Sequence, residues 1–266
     1  MATFKHISSK NANYGDAEKY LTFEHDEFTM KPVLDENGHL IPRRNYRFST
    51  LNCGGEDFAV ACMRANLRYG KNRSKGEVKS HHYIISFDPR DGPDHGLTVD
   101  QAQALGEQFC REQFPGHQAI VCTHDDGHNH SGNLHVHIVL NSLRKNDVDA
   151  KPFMERDIDS KAGYKHHVTP SLLHHLKKSL MDLCQREQLH QVDLLHPPKK
   201  RITEKEYYAN RRAKENAGKS GTTKFETQKD YPRKAIEDCA GKSGNEKTFR
   251  TLLKEKYGVT LTISRG

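Results

Sequence analysis

The chain has 266 residues, of which 34% are hydrophobic and 29% are charged, and its formal net charge is +7. This length allows one large domain or a domain with an appendage, and the absence of a long apolar run excludes a membrane-spanning protein. The positive charge favours a polyanion such as nucleic acid as partner, although plain solubility explains a charge of this size equally well.

The first 80 residues predict short elements separated by turns. A helical turn or two is expected around Ala17 to Phe23, and residues 31–50 predict a turn-rich connection with a hairpin around DENGHL. Apolar positions at helical spacing predict a helix over residues 56–70, followed by a solvated basic loop, KNRSKGEVKS.

From residue 81 the pattern predicts a strand, a helix and two further strands. HHYIISFDP predicts a strand because it is rich in β-branched and aromatic residues. The helix after it begins at Thr98, an N-cap that can form a capping box with Gln101. HQAIVCTH and residues 134–143 predict the next strands, and Thr169-Pro170 begins a helix with leucines along one side. This order implies an α/β sandwich with at least one crossover connection.

The C-terminal region differs in composition from the rest of the chain. Residues 197–235 contain twelve Lys and Arg against five Asp and Glu, a net charge of +7 that equals the excess of the whole chain. Interleaved aromatic residues favour a surface that follows a nucleic-acid backbone, and a solvated linker is an equal alternative. TFRTLLKEKYGVTLTISRG predicts a helix and then a strand that stops in mid-pattern, as in a truncated chain. We predict two domains, residues 1–195 and a basic, mostly helical DNA-binding extension over residues 196–266.

Targeting and redox signals point to the cytoplasm. The first residues, MATFKHISSKNANYG, do not resemble a signal peptide. The six cysteines include no C-x-x-C pair, so we expect reduced thiols and no zinc cluster built on cysteine. We therefore expect a cytoplasmic protein without membrane insertion.

The stretch HDDGHNHSGNLHVHIVLN, residues 124–141, holds five histidines. Because alternate side chains of a strand face opposite sides, His135 and His137 share one face with Val139 and Asn141. Two imidazoles on one strand face can bind a single metal ion if a neighbouring element supplies a third ligand. His124, directly after the strand HQAIVCT, is our candidate for that ligand.

Neighbouring residues of this stretch leave alternatives open. His128 and His130 in GHNHSGN are rivals for the third ligand position, and any single histidine taken alone is better explained as a surface or hydrogen-bonded side chain. Asp125 and Asp126 could orient a ligand imidazole through its second nitrogen. Three histidine ligands leave coordination positions open, which indicates catalysis and not a closed structural site.

These motifs resemble those of a known family. H-x-D at His124 to Asp126, followed by NLHVHIVLN, is similar to the metal motif of HUH endonucleases, and more narrowly to conjugative relaxases of the MobP-like, mobilisation-nuclease group. SHHYIISFDP and CREQFPGHQAIVCTH match the same group in order and spacing. The resemblance covers residues 1–195 and implies an α/β fold with a central, mainly antiparallel β-sheet and helices packed on it.

The resemblance also implies a nucleophile. Relaxases of this group use an N-terminal tyrosine, which in EKYLTFE is Tyr20, with Tyr14 as the fallback. Its attack would nick one DNA strand and leave a 5′-phosphotyrosyl link that can later be rejoined. Because a phenol has a pKa near 10 and needs help to ionise, Asp126 is a candidate catalytic carboxylate.

A divalent metal ion is the cofactor that the resemblance implies. It would be held by His124, His135 and His137 and would bind the scissile phosphate. Mg²⁺ or Mn²⁺ is expected in function, while Ni²⁺, Co²⁺ or Zn²⁺ could occupy three imidazoles in a purified sample.

The resemblance implies that the substrate is origin-of-transfer DNA, single-stranded or in a hairpin, during conjugative transfer or mobilisation of a plasmid or integrative element in the bacterial cytoplasm. Accessory DNA-binding proteins and the conjugation coupling machinery are further expected partners. Candidate DNA contacts are Arg43, Arg44, Arg47, Arg68, Lys199, Lys200, Arg201, Arg211 and Arg212.

Other functions share parts of this pattern. A rolling-circle replication initiator or transposase of the HUH class would use the same chemistry, usually with a tyrosine downstream of the histidines. A metal-stabilised DNA-binding accessory protein would have no chemistry at all. A small-molecule metallohydrolase conflicts with the basic C-terminal region.

Overall fold

The structure is a computed structural model that describes residues 3–26, 29, 31–92, 96–125, 133–196 and 229–262. The chain divides into two compact units, Met1–Pro197 and Pro198–Gly266. The first unit contains, in chain order, β1 (Thr3–Ser9), α1 (Gly15–Thr22), β2 (Tyr46–Leu51), α2 (Phe58–Tyr69), β3 (Ser80–Ser86), a 3₁₀ turn (Pro89–Asp91), α3 (Val99–Gln113), β4 (His117–His124), β5 (His135–Arg144), a 3₁₀ turn (Asp157–Ser160) and α4 (Pro170–Arg186).

A five-stranded sheet in the order β1-β3-β5-β4-β2 forms the centre of the first unit. Every neighbouring pair of strands is antiparallel. Because β3 and β4 both flank β5, they run parallel to each other, and α3 makes the crossover between them. The α/β fold with a mainly antiparallel sheet and packed helices is therefore confirmed.

The two faces of β5 bury different sets of side chains. Val136, Ile138 and Leu140 pack into a core that includes residues of α3 and α4. On the other face, Val139 belongs to a smaller core with Leu21 of α1 and with residues of α2. The alternation predicted for this strand thus separates a large apolar core from the face that carries His135 and His137.

Helix starts follow the local signals in the sequence. The Thr98 hydroxyl accepts a hydrogen bond from Gln101 N at 3.2 Å, and Gln101 Oε1 accepts one from Thr98 N at 2.8 Å. This is the predicted capping box, and it satisfies two backbone N–H groups at the start of α3. At α4, the Thr169 hydroxyl accepts from Leu172 N at 3.1 Å, and Pro170 occupies the first turn.

Between α1 and β2 the predicted hairpin is present. Leu34 and Leu40 form an antiparallel bridge, and Gly38 has φ +82° in the turn between them. The Asp35 carboxylate accepts hydrogen bonds from Asn37 N at 2.9 Å and His39 N at 2.8 Å. The sequence did not predict the edge strands β1 and β2 on the two sides of this region.

The second unit, within its described residues, contains α5 (Asp230–Ala240) and α6 (Glu246–Tyr257). Ala235 and Cys239 of α5 bury against Leu253 of α6, which gives the helical pair a small core. The predicted helix over TFRTLLKEKY is confirmed. The predicted strand after it is wrong for residues 258–262, which are irregular, because a strand needs a neighbour to pair with and the described part of this unit offers only helices.

Candidate metal centre and nucleophile

Three histidines converge where β4 ends and β5 begins. His124 is directly opposite His135 in the antiparallel register, and His137 is opposite Cys122. One ligand nitrogen from each of His124, His135 and His137 lies within 4.8 Å of the other two. His124 and His137 are buried, and His135 is half-buried. The strand register therefore brings together all three predicted ligands.

Hydrogen bonds to the second nitrogen orient two of these rings. His124 Nε2 lies 2.7 Å from the Leu21 carbonyl oxygen, and His135 Nδ1 lies 3.1 Å from the Asn133 carbonyl oxygen. Because a carbonyl can only accept, each of these nitrogens must carry the hydrogen. The lone pair is then on Nδ1 of His124 and on Nε2 of His135, which are the atoms that can bind a cation.

The third ring contacts another imidazole. His137 Nδ1 lies 2.8 Å from Nε2 of His82, which belongs to the neighbouring strand β3. Burial lowers the pKa of His137 well below 6.5, and the nearby His135, His82 and His124 lower it further. Burial likewise lowers the pKa of His82 to about 4. Both imidazoles are therefore neutral at neutral pH, the form in which histidine binds metal ions.

The donor set fits a divalent transition-metal ion. Three imidazoles on adjacent strands supply borderline-soft nitrogen ligands, which suit Mn²⁺ to Zn²⁺ and leave coordination positions for water or substrate oxygen. Asp125 is engaged by the amide of Asn45. Asp126 and the rival ligands His128 and His130 lie outside the described residues.

Tyr20 on α1 lies against the imidazoles. Its ring centroid is 6.0 Å from that of His137 and 6.2 Å from that of His82, both in edge-to-face geometry. It is also 5.1 Å from the ring of His25, which follows the helix. The next residue, Leu21, provides the carbonyl that orients His124. The helix that carries Tyr20 thus accepts a hydrogen bond from the predicted metal ligand His124.

Tyr14, the fallback nucleophile, is buried at 5% exposure. Its hydroxyl lies 3.1 Å from the Lys79 carbonyl, to which it donates, and accepts from the amide groups of Asn66 at 2.8 Å and Asn72 at 3.2 Å. Burial raises its pKa to about 12. A buried phenol with three hydrogen-bond partners is typical of a packing residue.

The predicted DNA contacts have different environments. Arg43 is half-buried, and its charge acts on His137, which places it near the centre. Arg44 and Arg68 are exposed, whereas Arg47 forms a salt bridge with Asp100 at 2.5 Å. Lys199, Lys200, Arg201, Arg211 and Arg212 lie outside the described residues.

Comparison with known proteins identifies the family. The family model described as "Relaxase: MobA/VirD2-like, nuclease domain" matches residues 42–189, more than half of the chain and including all three histidines. This chain belongs to the MobA/VirD2-like relaxase family. The matched part of the relaxase domain does not include α1, so Tyr20 as nucleophile stays a prediction.

Two curated relatives of this relaxase domain are proteins named "Protein rlx" from Staphylococcus aureus. One is 28% identical over 137 residues, which is 51% of this chain and 33% of the relative. The other is 26% identical over 214 residues, which is 80% of this chain and 56% of the relative. The chain therefore spans between a third and about half of the length of these relatives.

A solved structure titled "Molecular Basis of Vancomycin Resistance Transfer in Staphylococcus aureus" is similar at a TM-score of 0.41 and 11% identity, covering 72% of this chain and 96% of that chain.

Across the described part of this relaxase domain and its C-terminal unit, no helix is both long and apolar enough to span a membrane.

Proposed function

We propose that this relaxase domain nicks and rejoins one DNA strand through Tyr20, at a divalent metal ion held by His124, His135 and His137. The observation that supports this most is the position of the Tyr20 ring, 6.0 Å from the ring of His137. A phosphate between the phenol and the three imidazoles could contact both at once. Nucleophile and metal ligands must share one phosphate for this chemistry.

The transesterification follows from these groups. The Tyr20 hydroxyl oxygen forms a bond to phosphorus, and the bond from phosphorus to the 3′ oxygen breaks. The phenolic proton leaves and a proton is gained by the released 3′ oxygen, so charge and atoms balance. The 5′-phosphotyrosyl link keeps the energy of the phosphodiester, and the 3′-OH can attack it in the reverse step.

A divalent cation bound at the centre would offset the negative charge that develops on the non-bridging phosphate oxygens, with Mg²⁺ or Mn²⁺ as the working ion. Asp126 remains our candidate for accepting the phenolic proton. We propose that Arg43, whose charge acts on His137, contacts a neighbouring phosphate. Arg47 would have to exchange Asp100 for DNA, so we expect it to contribute less.

The biological substrate in this proposal is a single-stranded or hairpin transfer origin of a plasmid or integrative element. We propose accessory DNA-binding proteins and the conjugation coupling machinery as its partners, and the bacterial cytoplasm as its location. The membership of the relaxase family supports this context.

Mass spectrometry of the DNA-linked peptide tests the nucleophile. The full chain is incubated with Mn²⁺ and oligonucleotides tiled over the DNA that flanks its own gene, and the adduct is digested with trypsin. Trypsin cuts after Lys19, which separates Tyr14 from Tyr20. We expect the nucleotide mass on the peptide that begins at Tyr20, and no adduct from Tyr20→Phe.

The controls decide between the alternatives. Tyr14→Phe should still form the adduct, because its hydroxyl only stabilises the fold in this proposal. An adduct on a tyrosine downstream of the histidines would refute Tyr20 and favour the replication-initiator mechanism. Salt-sensitive DNA binding without any adduct, on every tiled oligonucleotide, would favour a non-catalytic accessory protein.

A further inference from the structure

The three candidate ligands differ in what holds their second nitrogen. Backbone carbonyls, of Leu21 and Asn133, hold His124 and His135. Cys122 Sγ also lies 3.3 Å from His124 Nε2. His137 instead meets a second imidazole among the described residues, with 2.8 Å between Nδ1 of His137 and Nε2 of His82. Substitution can therefore test the support of one ligand without changing any backbone.

Strand pairing fixes the position of His82. β3 pairs with β5 so that Ile84 is opposite His137 and His82 is opposite Val139. His82 therefore lies one diagonal step along the sheet from His137 and on the same face. The ring centroids of the two histidines are 5.0 Å apart, and the Tyr20 ring contacts both.

The direction of this hydrogen bond determines which nitrogen of His137 can bind a cation. A carbonyl can only accept, but a neutral imidazole can either donate or accept. If His82 Nε2 donates, His137 must carry its hydrogen on Nε2 and has no lone pair for the cation there. If His82 Nε2 accepts, His137 carries the hydrogen on Nδ1 and presents Nε2 to the ion.

We infer that His82 is a positioning residue: its Nε2 accepts from His137 Nδ1–H and so fixes the tautomer and orientation in which His137 binds the metal ion. This inference rests on the metal centre of the proposed function. Partners of this kind commonly change metal affinity by about 10–100-fold when they are removed. The edge-to-face contact with Tyr20 means that the same ring also limits the position of the phenol.

Calorimetric titration of the full chain with Mn²⁺ tests the inference. We expect His82→Ala to weaken Mn²⁺ binding by about 10–100-fold. His82→Gln should recover most of the affinity, because its amide oxygen reaches about as far as the imidazole Nε2 and can accept the same hydrogen bond. His39→Ala is the matched control, since this imidazole is exposed in the hairpin at 77% of its side-chain surface.

Each outcome has a defined meaning. Binding by His82→Ala within about twofold of wild type would overturn the inference, because second-sphere partners typically matter more. Equal weakening in His82→Ala and His82→Gln would also overturn it, because an acceptor at this position would then not support metal binding by His137. Melting curves in EDTA check that the variants fold. Each should show one cooperative transition, with a lower Tm for His82→Ala because it loses ring contacts to His137 and Tyr20.

A second readout reports the tautomer itself. Long-range ¹H–¹⁵N spectra of the Zn²⁺-loaded chain should show His82 protonated on Nδ1 and unprotonated on Nε2. The reverse pattern would overturn the inference even if affinity fell. If the wild type binds no Mn²⁺, the proposed metal centre fails; if His137→Ala alone loses binding, the centre stands and only the role of His82 is rejected.

Discussion

A buried row of imidazoles lies on the face of the sheet opposite the candidate metal ligands, and it should make the first unit less stable in acid. His81 is 5% exposed and His117 is 1% exposed, and burial lowers the pKa of each from 6.5 to about 3. The ring of His166 lies 4.9 Å from that of His81 and 5.1 Å from that of His117. His6, whose Nε2 is 3.0 Å from His81 Nδ1, and the cations Lys165 and Arg144 also disfavour charge on these rings.

Linkage gives the sign and the size of the effect. Because the folded pKa is below the unfolded one, the unfolded chain binds more protons between pH 6.5 and about 3, so stability is fully present above pH 6.5 and is lost as the pH falls through this window. Each pH unit costs about 1.4 kcal/mol per histidine. At about pH 5 the loss is about 2 kcal/mol each for His81 and His117, against a typical total of about 5–15 kcal/mol.

Urea unfolding in EDTA at about pH 7.5 and about pH 5 measures this loss. His117→Asn keeps a donor near the position of Nδ1, which contacts the Asn141 carbonyl at 3.0 Å, but it removes the titrating ring. We expect the acid-induced loss of free energy of unfolding to be smaller than in wild type by about 2 kcal/mol. His39→Asn should show the wild-type loss. Equal losses in His117→Asn and wild type would refute the reasoning.

Three further predictions concern packing and metal. Gly106→Ala would place a Cβ 2.4 Å from Val136 Cγ1. Urea unfolding should therefore show a free energy of unfolding that is lower by about 1–3 kcal/mol. Unchanged stability would contradict the close contact of α3 with β5. Tyr14→Phe should lower the free energy of unfolding by about 1–3 kcal/mol in the same assay, because the amides of Asn66 and Asn72 lose a buried acceptor. A stable variant that forms no DNA adduct would instead make Tyr14 the nucleophile. Mn²⁺ at about 100 times its Kd should stabilise the fold by about 2.7 kcal/mol, seen calorimetrically as a higher Tm; the same rise in His137→Ala would rule out this centre.

The parts of the fold that the sequence predicted carry local signals. The start of α3 depends on Thr98 and Gln101, two residues three positions apart. β5 depends on strict alternation, which separates Val136 from His137 without any knowledge of neighbouring strands. Such patterns reflect backbone geometry and local hydrogen bonds, so one sequence is enough to find them.

The edge strands lack such signals. Among the described strands, β1 and β2 each pair with a single neighbour, and both are largely exposed or half-buried. Their sequences, TFKHISS and YRFSTL, contain charged and polar residues that give no continuous apolar pattern. These segments are strands because β3 and β4 offer unpaired backbone groups to them, and that pairing is a tertiary interaction.

The candidate site was predictable to the same degree. The spacing of His135 and His137, with His124 at the end of the preceding strand, indicated three converging ligands, and their metal-binding role stays a prediction. His82 gave one usable signal: two adjacent histidines on a strand must point to opposite faces, so one of them faces β5's imidazoles. Choosing between His81 and His82 needs the register of β3 against β5, which no local pattern supplies.

The bond between the Leu21 carbonyl and His124 has a consequence for the joined state. Leu21 follows Tyr20 in the chain, so moving the α1 backbone at Tyr20 away from the site would break the 2.7 Å hydrogen bond between the Leu21 carbonyl and His124. In the proposed function, a DNA end joined to Tyr20 would therefore stay close to the three metal ligands. Force on the joined strand that displaced α1 would first strain the hydrogen bond between the Leu21 carbonyl and His124. The 5′ end would thus remain at the site where the 3′-OH can rejoin it.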